Sequence, residues 1–216
     1  MNKYLVLDCE TGGFEGTSLL TFHFDVLDKD FNTLDSLSLF LRPKDHIYKV
    51  TAEALTVNHI DLIEHEKKAI TYQEGGTLLF DFLQKNSLVP KYFVPATPGI
   101  AHIDFLSGKV DLVNFIPGIQ PSIEKLSPLG HNVSGDIRRV KEELISPGSW
   151  DKFVSYRVED TGTVGNYLKR KGKIPKEISG SLSSYATYFG IPITDAHTGK
   201  GDCAMTAAVY KEMLKL

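Results

Sequence analysis

Residues 5–14 read LVLDCETGGF: an apolar run, then Asp8 and Glu10 two positions apart, then the break at Gly12 and Gly13. On a strand alternate side chains share a face, so the two carboxylates point the same way into one small volume. Like charges that close make it costly to ionise both, unless solvent or a cation stands between them. A strand that merely runs out into a polar turn, with the glycines supplying positive φ, would be spelled the same way. The rest of the chain has to separate a turn from a site.

At 216 residues the chain suits one domain, 1–216, carrying at most an elaborate insertion. A domain of this size buries roughly 70% of its unfolded surface, so it needs no disulfide. The two cysteines, Cys9 and Cys203, have no CxxC or Cys/His spacing around them, which suits a reduced intracellular protein and argues against zinc. No segment approaches the ~18 uninterrupted apolar residues of a membrane span, and no signal-peptide core follows Met1, so the expectation is a soluble, cytoplasmic protein with no membrane partner. The net charge of -3 argues against a general electrostatic grip on nucleic acid, though not a local one. Cations bunch at Arg138, Arg139 and Lys141, and again at Lys169, Arg170, Lys171, Lys173 and Lys176. Solvated helix ends explain both groups as well as a phosphate track does.

Residues 3–8, 17–27 and 33–41 are expected as three strands in meander order, the last two joined by the turn-rich DKDFN. Helical spacing follows at 51–58 and 76–86, with Leu79, Phe80 and Leu83 on one face of the second. Between about 88 and 128 six prolines and the aromatics Tyr92, Phe93, Phe105 and Phe115 interrupt any long helix. Inside that stretch IAHIDF and VDLVNF flank LSGK as a β-hairpin. Helices are expected at 134–145, 161–171, 181–189 and 201–215, with VSYRVED, 154–160, as a strand among them. Strands followed by a mixed βα region imply an α/β fold with a mixed central sheet flanked by helices.

Two further acidic positions open helices: Asp136 in LGHNVSGDIRRV and Asp202 in DAHTGKGDCAMTAAVYKEML. Either could serve only its helix dipole and cap. His197, however, lies five residues before Asp202 across a glycine-containing loop, and a histidine beside carboxylates can accept a proton near neutral pH.

This series, D-x-E ending the first strand, HN followed by an Asp opening a helix, and H-x4-D opening the last helix, resembles the DEDDh branch of the DnaQ-like 3'-5' exonuclease superfamily, which has an RNase H-like fold. VEDTGTVGNYL and SLSSYATYFGI resemble two structural segments of the same family. The resemblance runs from Asp8 to Asp202, excepting residues 88–127. It implies that Asp8, Glu10, Asp136 and Asp202 hold two divalent cations, Mg2+ or Mn2+, as oxygen-only ligands suit. It implies that His197 is the general base, made mobile by Gly199 and Gly201, and that the ions serve an in-line phosphodiester displacement. Substrate contacts are expected at Asn132, Thr11, Gly12 and Phe14, the last either stacking on a terminal base or serving as a core or hinge aromatic. His131 is expected to be structural, and Asp160 to cap the helix from Thr161 rather than bind metal.

Departures from the family pattern are TGG after Glu10, Gly135 where an aromatic is usual before the Asp, and Cys203 after Asp202. No ligand and no base is lost. The implied activity is a 3'-5' exonuclease that hydrolyses single-stranded DNA or RNA from the 3' end and releases nucleoside 5'-monophosphates. Its partners would be the 3' end itself and, in addition, a second copy of the chain or a polymerase or other replication protein. The alternatives are an RNA-end or short-oligonucleotide trimmer of the same branch, and a catalytically silent protein-binding module that uses residues 88–128.

Overall fold

The computed structural model describes residues 3–14, 16–93, 102–104, 109–111 and 118–216. The founding strand, β1 (Tyr4–Thr11), pairs antiparallel with β2 (Leu19–Leu27), which pairs antiparallel with β3 (Thr33–Arg42). The expected meander is therefore present, but β1 extends three residues past Asp8, keeping Glu10 in register with Thr21 and so inside the sheet. The chain next forms α1 (Ala52–Asn58), α2 (Leu62–Glu66), β4 (Ile70–Thr71) and α3 (Tyr72–Ser87). Thr71 and Glu74 cap each other's backbone reciprocally, which starts α3 a turn before the periodicity of its apolar face does.

The expected insertion contains two antiparallel ribbons: β5 (Leu88–Phe93) with β8 (Gly118–Ile123), and between them β6 (His102–Asp104) with β7 (Lys109–Asp111). The hairpin pairing is thus found, while its turn, residues 105–108, lies outside the described residues together with Phe105 and Phe115. Pro90 stands opposite Pro121. Neither has an N–H, so this pair occupies a non-hydrogen-bonded position of the ribbon. The expected limit at 128 overran the insertion, because β9 (Ser127–Gly130) is a central strand parallel to β1.

After β9 come α4 (Ser134–Arg139) and a π-helical turn, Val140–Leu144, where the Ile145 N–H reaches the Val140 carbonyl at 3.0 Å. The expected helix at 134–145 therefore changes pitch midway. Next is α5 (Pro147–Phe153), absent from the sequence reading although Ser146 as cap and Pro147 at the first turn mark it. The expected strand at 154–160 shrinks to a bridge from Val154 to Leu126 and to β10 (Glu159–Asp160). Between those ends Ser155 turns the chain, accepting from the Arg157 N–H at 3.1 Å. Last are α6 (Thr161–Arg170), α7 (Leu182–Phe189) and α8 (Gly199–Met213).

The sheet order is β10-β9-β1-β2-β3-β4, a six-stranded mixed sheet with helices on both faces. Alternation along β1 sorts the layers. Leu5 and Leu7 join Phe22, Phe24, Leu79, Trp150 and Phe153 in one core, against α3 and α5. Val6 joins Leu129, Cys203 and Tyr210 on the opposite face, under α8. Asp8 and Glu10 follow the parity of Val6, so both carboxylates are delivered to the α8 side. Among the described residues no helix is long and apolar enough to cross a membrane.

Candidate active site

Asp202 lies in the first turn of α8, and that turn packs directly on the strands. A Cβ on Gly199 would lie 3.0 Å from the His23 Cβ and 3.3 Å from the Asp8 carbonyl oxygen; one on Gly201 would lie 2.1 Å from the Asp195 carbonyl oxygen. These glycines are needed for close approach. The approach brings carboxylate oxygens of Asp8, Glu10 and Asp202 within 4.8 Å of one another. Thr198 caps the helix, accepting from the Gly201 N–H at 3.1 Å, and its own hydroxyl donates to the Asp195 carbonyl at 2.6 Å. His197, exposed at the rim, and Asp195 both have left-handed backbones, with φ of 61° and 54°. That is an uncommon conformation for residues other than glycine, and it marks a tightly determined loop.

Burial, then repulsion from Asp136, Glu10 and Asp202, pushes the Asp8 carboxyl well above the usual carboxylate range. Burial, then Asp202 and Asp136, lifts Glu10 to about 8. Burial also raises Asp202, with the His197 backbone N–H and the histidine's charge opposing it. Asp136 rises to about 6 through burial, opposed by hydrogen bonding from the Cys9 thiol. None of the four forms an ion pair with a lysine or arginine among the described residues. A half-buried set of oxygen donors with unneutralised charge fits hard divalent cations. Asp136 does not join the three-carboxylate cluster; it turns toward Cys9 on the other side of β1, close enough to Asp8 to raise its pKa.

The loop carrying Asn132 is held from below. The Val133 N–H donates to Asp160 Oδ2 at 2.9 Å while Asp160 Oδ1 caps α6 through the Thr163 N–H at 2.8 Å. Asp160 is thus spent on structure. His131 Nδ1 is 2.8 Å from Thr161 Oγ1, and its ring meets Tyr185 edge-on at 6.3 Å, again a structural position. Asn132 is exposed with φ of 57°.

Two clefts flank the tip of β1. One, of about 400 Å3, is lined by Glu10 and His197 and by Thr21, His23, Ser38, Phe40, Asn58, His59, Ile60, Lys68 and Lys200. The other, of about 580 Å3, is lined by Cys9, Thr11, Phe14, Asn132, Gly135, Asp136, Arg138 and Arg139. Phe14 is 97% exposed, which removes the core-aromatic reading. A Cβ on Gly135 would meet nothing within 4 Å among the described residues, so the space of the usual aromatic opens into the second cleft. Gly12 is buried with its N–H on the Ser18 carbonyl at 2.8 Å and its carbonyl accepting from the Thr51 N–H at 2.7 Å. Its backbone is therefore engaged internally and not offered to a substrate as expected. Thr11 lines the second cleft, its hydroxyl on the Gly13 carbonyl at 2.6 Å.

Sequence reading missed Phe40, Asn58, His59 and Ile60, because only the passage from β3 through α1 carries them to Glu10. It also missed the buried His23, whose Nδ1 lies 2.7 Å from Ser38 Oγ and whose Nε2 lies 3.1 Å from Asp25 Oδ1. The alternation of TFHFDVL, polar at 21, 23 and 25, was the available signal.

No protein-family model and no curated protein matches the chain. Solved structures do. The structure of E. coli Exonuclease I in complex with a dT13 oligonucleotide matches at 17% identity and a TM-score of 0.65, over 98% of this chain and 41% of that one. An ExoI/SSB-Ct complex matches at 18% and 0.64, over 100% of this chain and 41% of that one. The zinc ion bound form of an E. coli ExoI-ssDNA complex matches at 18% and 0.64, over 98% and 40%. The chain spans about two fifths of the length of these structures. The likeness shows a shared fold, the RNase H-like architecture expected of the DnaQ-like exonucleases.

Proposed function

We propose that this chain is a divalent-cation-dependent 3'-5' exonuclease acting on single-stranded nucleic acid. The observation that carries the reading is the convergence of Asp8, Glu10 and Asp202 within 4.8 Å at the C-terminal end of the central strand β1, with His197 on the adjoining loop. Two ions, Mg2+ or Mn2+, held by these residues and by Asp136 would neutralise phosphoryl oxygens and supply Lewis acidity. His197, exposed at the cleft that Glu10 lines, takes the proton of the attacking water. Asn132 and Phe14, projecting on the other side of β1, contact the strand, Phe14 by stacking on a base. The products are a nucleoside 5'-monophosphate and a chain one nucleotide shorter.

The free thiols of Cys9 and Cys203 suit a reducing compartment, and we place the protein in the cytoplasm. A single-stranded DNA substrate and a replication partner are suggested by what the similar structures hold, dT13 and SSB-Ct. A silent binding module is disfavoured, since it would have no use for three converging carboxylates, with Asp136 near enough to add to the repulsion on Asp8 and Glu10. The test is digestion of 5'-labelled single strands with Mg2+ or Mn2+. Shortening from the 3' end that EDTA abolishes supports the reading, and intact substrate with every metal contradicts it.

A further inference from the structure

The linings of the two clefts give a bound strand a direction. When a 5'-monophosphate is released, the water oxygen bonds to phosphorus as the bond from phosphorus to the 3'-oxygen of the preceding nucleotide breaks. The water's proton passes to His197, and the departing 3'-oxygen takes a proton from solvent. In-line displacement sets the attacking and departing oxygens on opposite sides of phosphorus. His197 lines only the 400 Å3 cleft, with Glu10. The departing strand therefore belongs in the 580 Å3 cleft, with Phe14 and Asp136.

That second cleft holds two guanidinium groups, and they differ. Arg139 is half-buried and committed: it pairs with Glu143 and donates to the Thr17 carbonyl at 2.6 Å, bracing the loop that carries Phe14. Arg138 is exposed and its side chain, among the described residues, has no hydrogen bond, ion pair or ring contact. A planar, permanently charged fork left free in a cleft is suited to a phosphodiester, which it can grip through two N–H groups. Resting on the exonuclease reading above, we infer that Arg138 holds the phosphate next upstream of the scissile one, so that the site distinguishes a strand from a lone terminal nucleotide.

The test compares wild type, Arg138→Gln and Arg138→Lys on a 5'-labelled single-stranded 12-mer and on thymidine 5'-monophosphate p-nitrophenyl ester, which has no upstream phosphate. Arg138→Gln is expected to raise KM for the 12-mer about ten-fold. It should also flatten the log–log salt dependence by about 0.7. Ester hydrolysis should stay within two-fold, and Arg138→Lys should recover part of the loss. An unchanged KM for the 12-mer overturns the inference. An equal loss on both substrates overturns it too, since Arg138 would then support the site itself. Wild-type protein inert toward both substrates would instead overturn the exonuclease reading beneath it.

Discussion

Glu10 is the residue on which the electrostatics turn. Its carboxyl sits at about 8 in the fold because of burial and then of Asp202 and Asp136, against about 4.3 in an unfolded chain. The folded state thus binds that proton more tightly, so stability is lost as pH rises between the two values. The Tm of metal-stripped protein should fall from pH 5 to pH 8, and added Mg2+ should restore more of it at pH 8 than at pH 5. Glu10→Gln should remove much of that slope, and a flat Tm in the wild type would refute the coupling. Asp8→Ala relieves the same repulsion, so it should raise the Tm without metal while lowering kcat about a thousand-fold or more. Thermal melts and single-turnover rates check the two halves. Asp8 and Glu10 were legible because strand alternation alone puts them on one face, and His197 and Asp202 through their spacing and the family likeness. Asn58 and Phe40 were not, because nothing local to them points at Glu10.

Among the elements, α8 places the site, and its glycines set how near it can come. Gly201→Ala would put a methyl 2.1 Å from the Asp195 carbonyl oxygen. The expected result is a cost of about 1–3 kcal/mol in chemical denaturation and a fall in kcat as the loop of His197 shifts. Gly135→Ala, with nothing among the described residues within 4 Å of the added carbon, is the contrast and should stay within about 0.5 kcal/mol. Equal effects of the two would refute the packing account. Strand and helix positions were mostly readable from periodicity, while their ends were set by partners. β1 reaches Thr11 because β2 continues to pair with it, and α3 starts at Tyr72 because of its capping box. The segment 154–160 looked like a strand by composition, yet only Glu159 and Asp160 find a neighbour on β9.

At the scale of the whole molecule, the ribbons of the insertion are separable from the sheet. The Glu124 N–H meets the Ser87 carbonyl at 2.9 Å, and Val89 pairs with Ser122. Replacing residues 90–121 by Asn-Gly therefore closes a two-residue hairpin without disturbing β9. The shortened protein should keep its cooperative melt and its exonuclease activity on a dinucleotide, whereas unfolding would show that the insertion belongs to the core. The insertion's sequence announced an interruption and its inner hairpin but not the outer pairing of β5 with β8, since prolines facing each other across a ribbon look like breakers when read one strand at a time. The central claim is tested most directly with 5'-labelled single-stranded DNA and RNA of matched sequence, incubated with Mg2+ or Mn2+ beside EDTA and Asp8→Ala controls. A ladder shortening from the 3' end, absent in both controls, is the predicted result. Intact strands from a folded wild-type protein with either metal would contradict it.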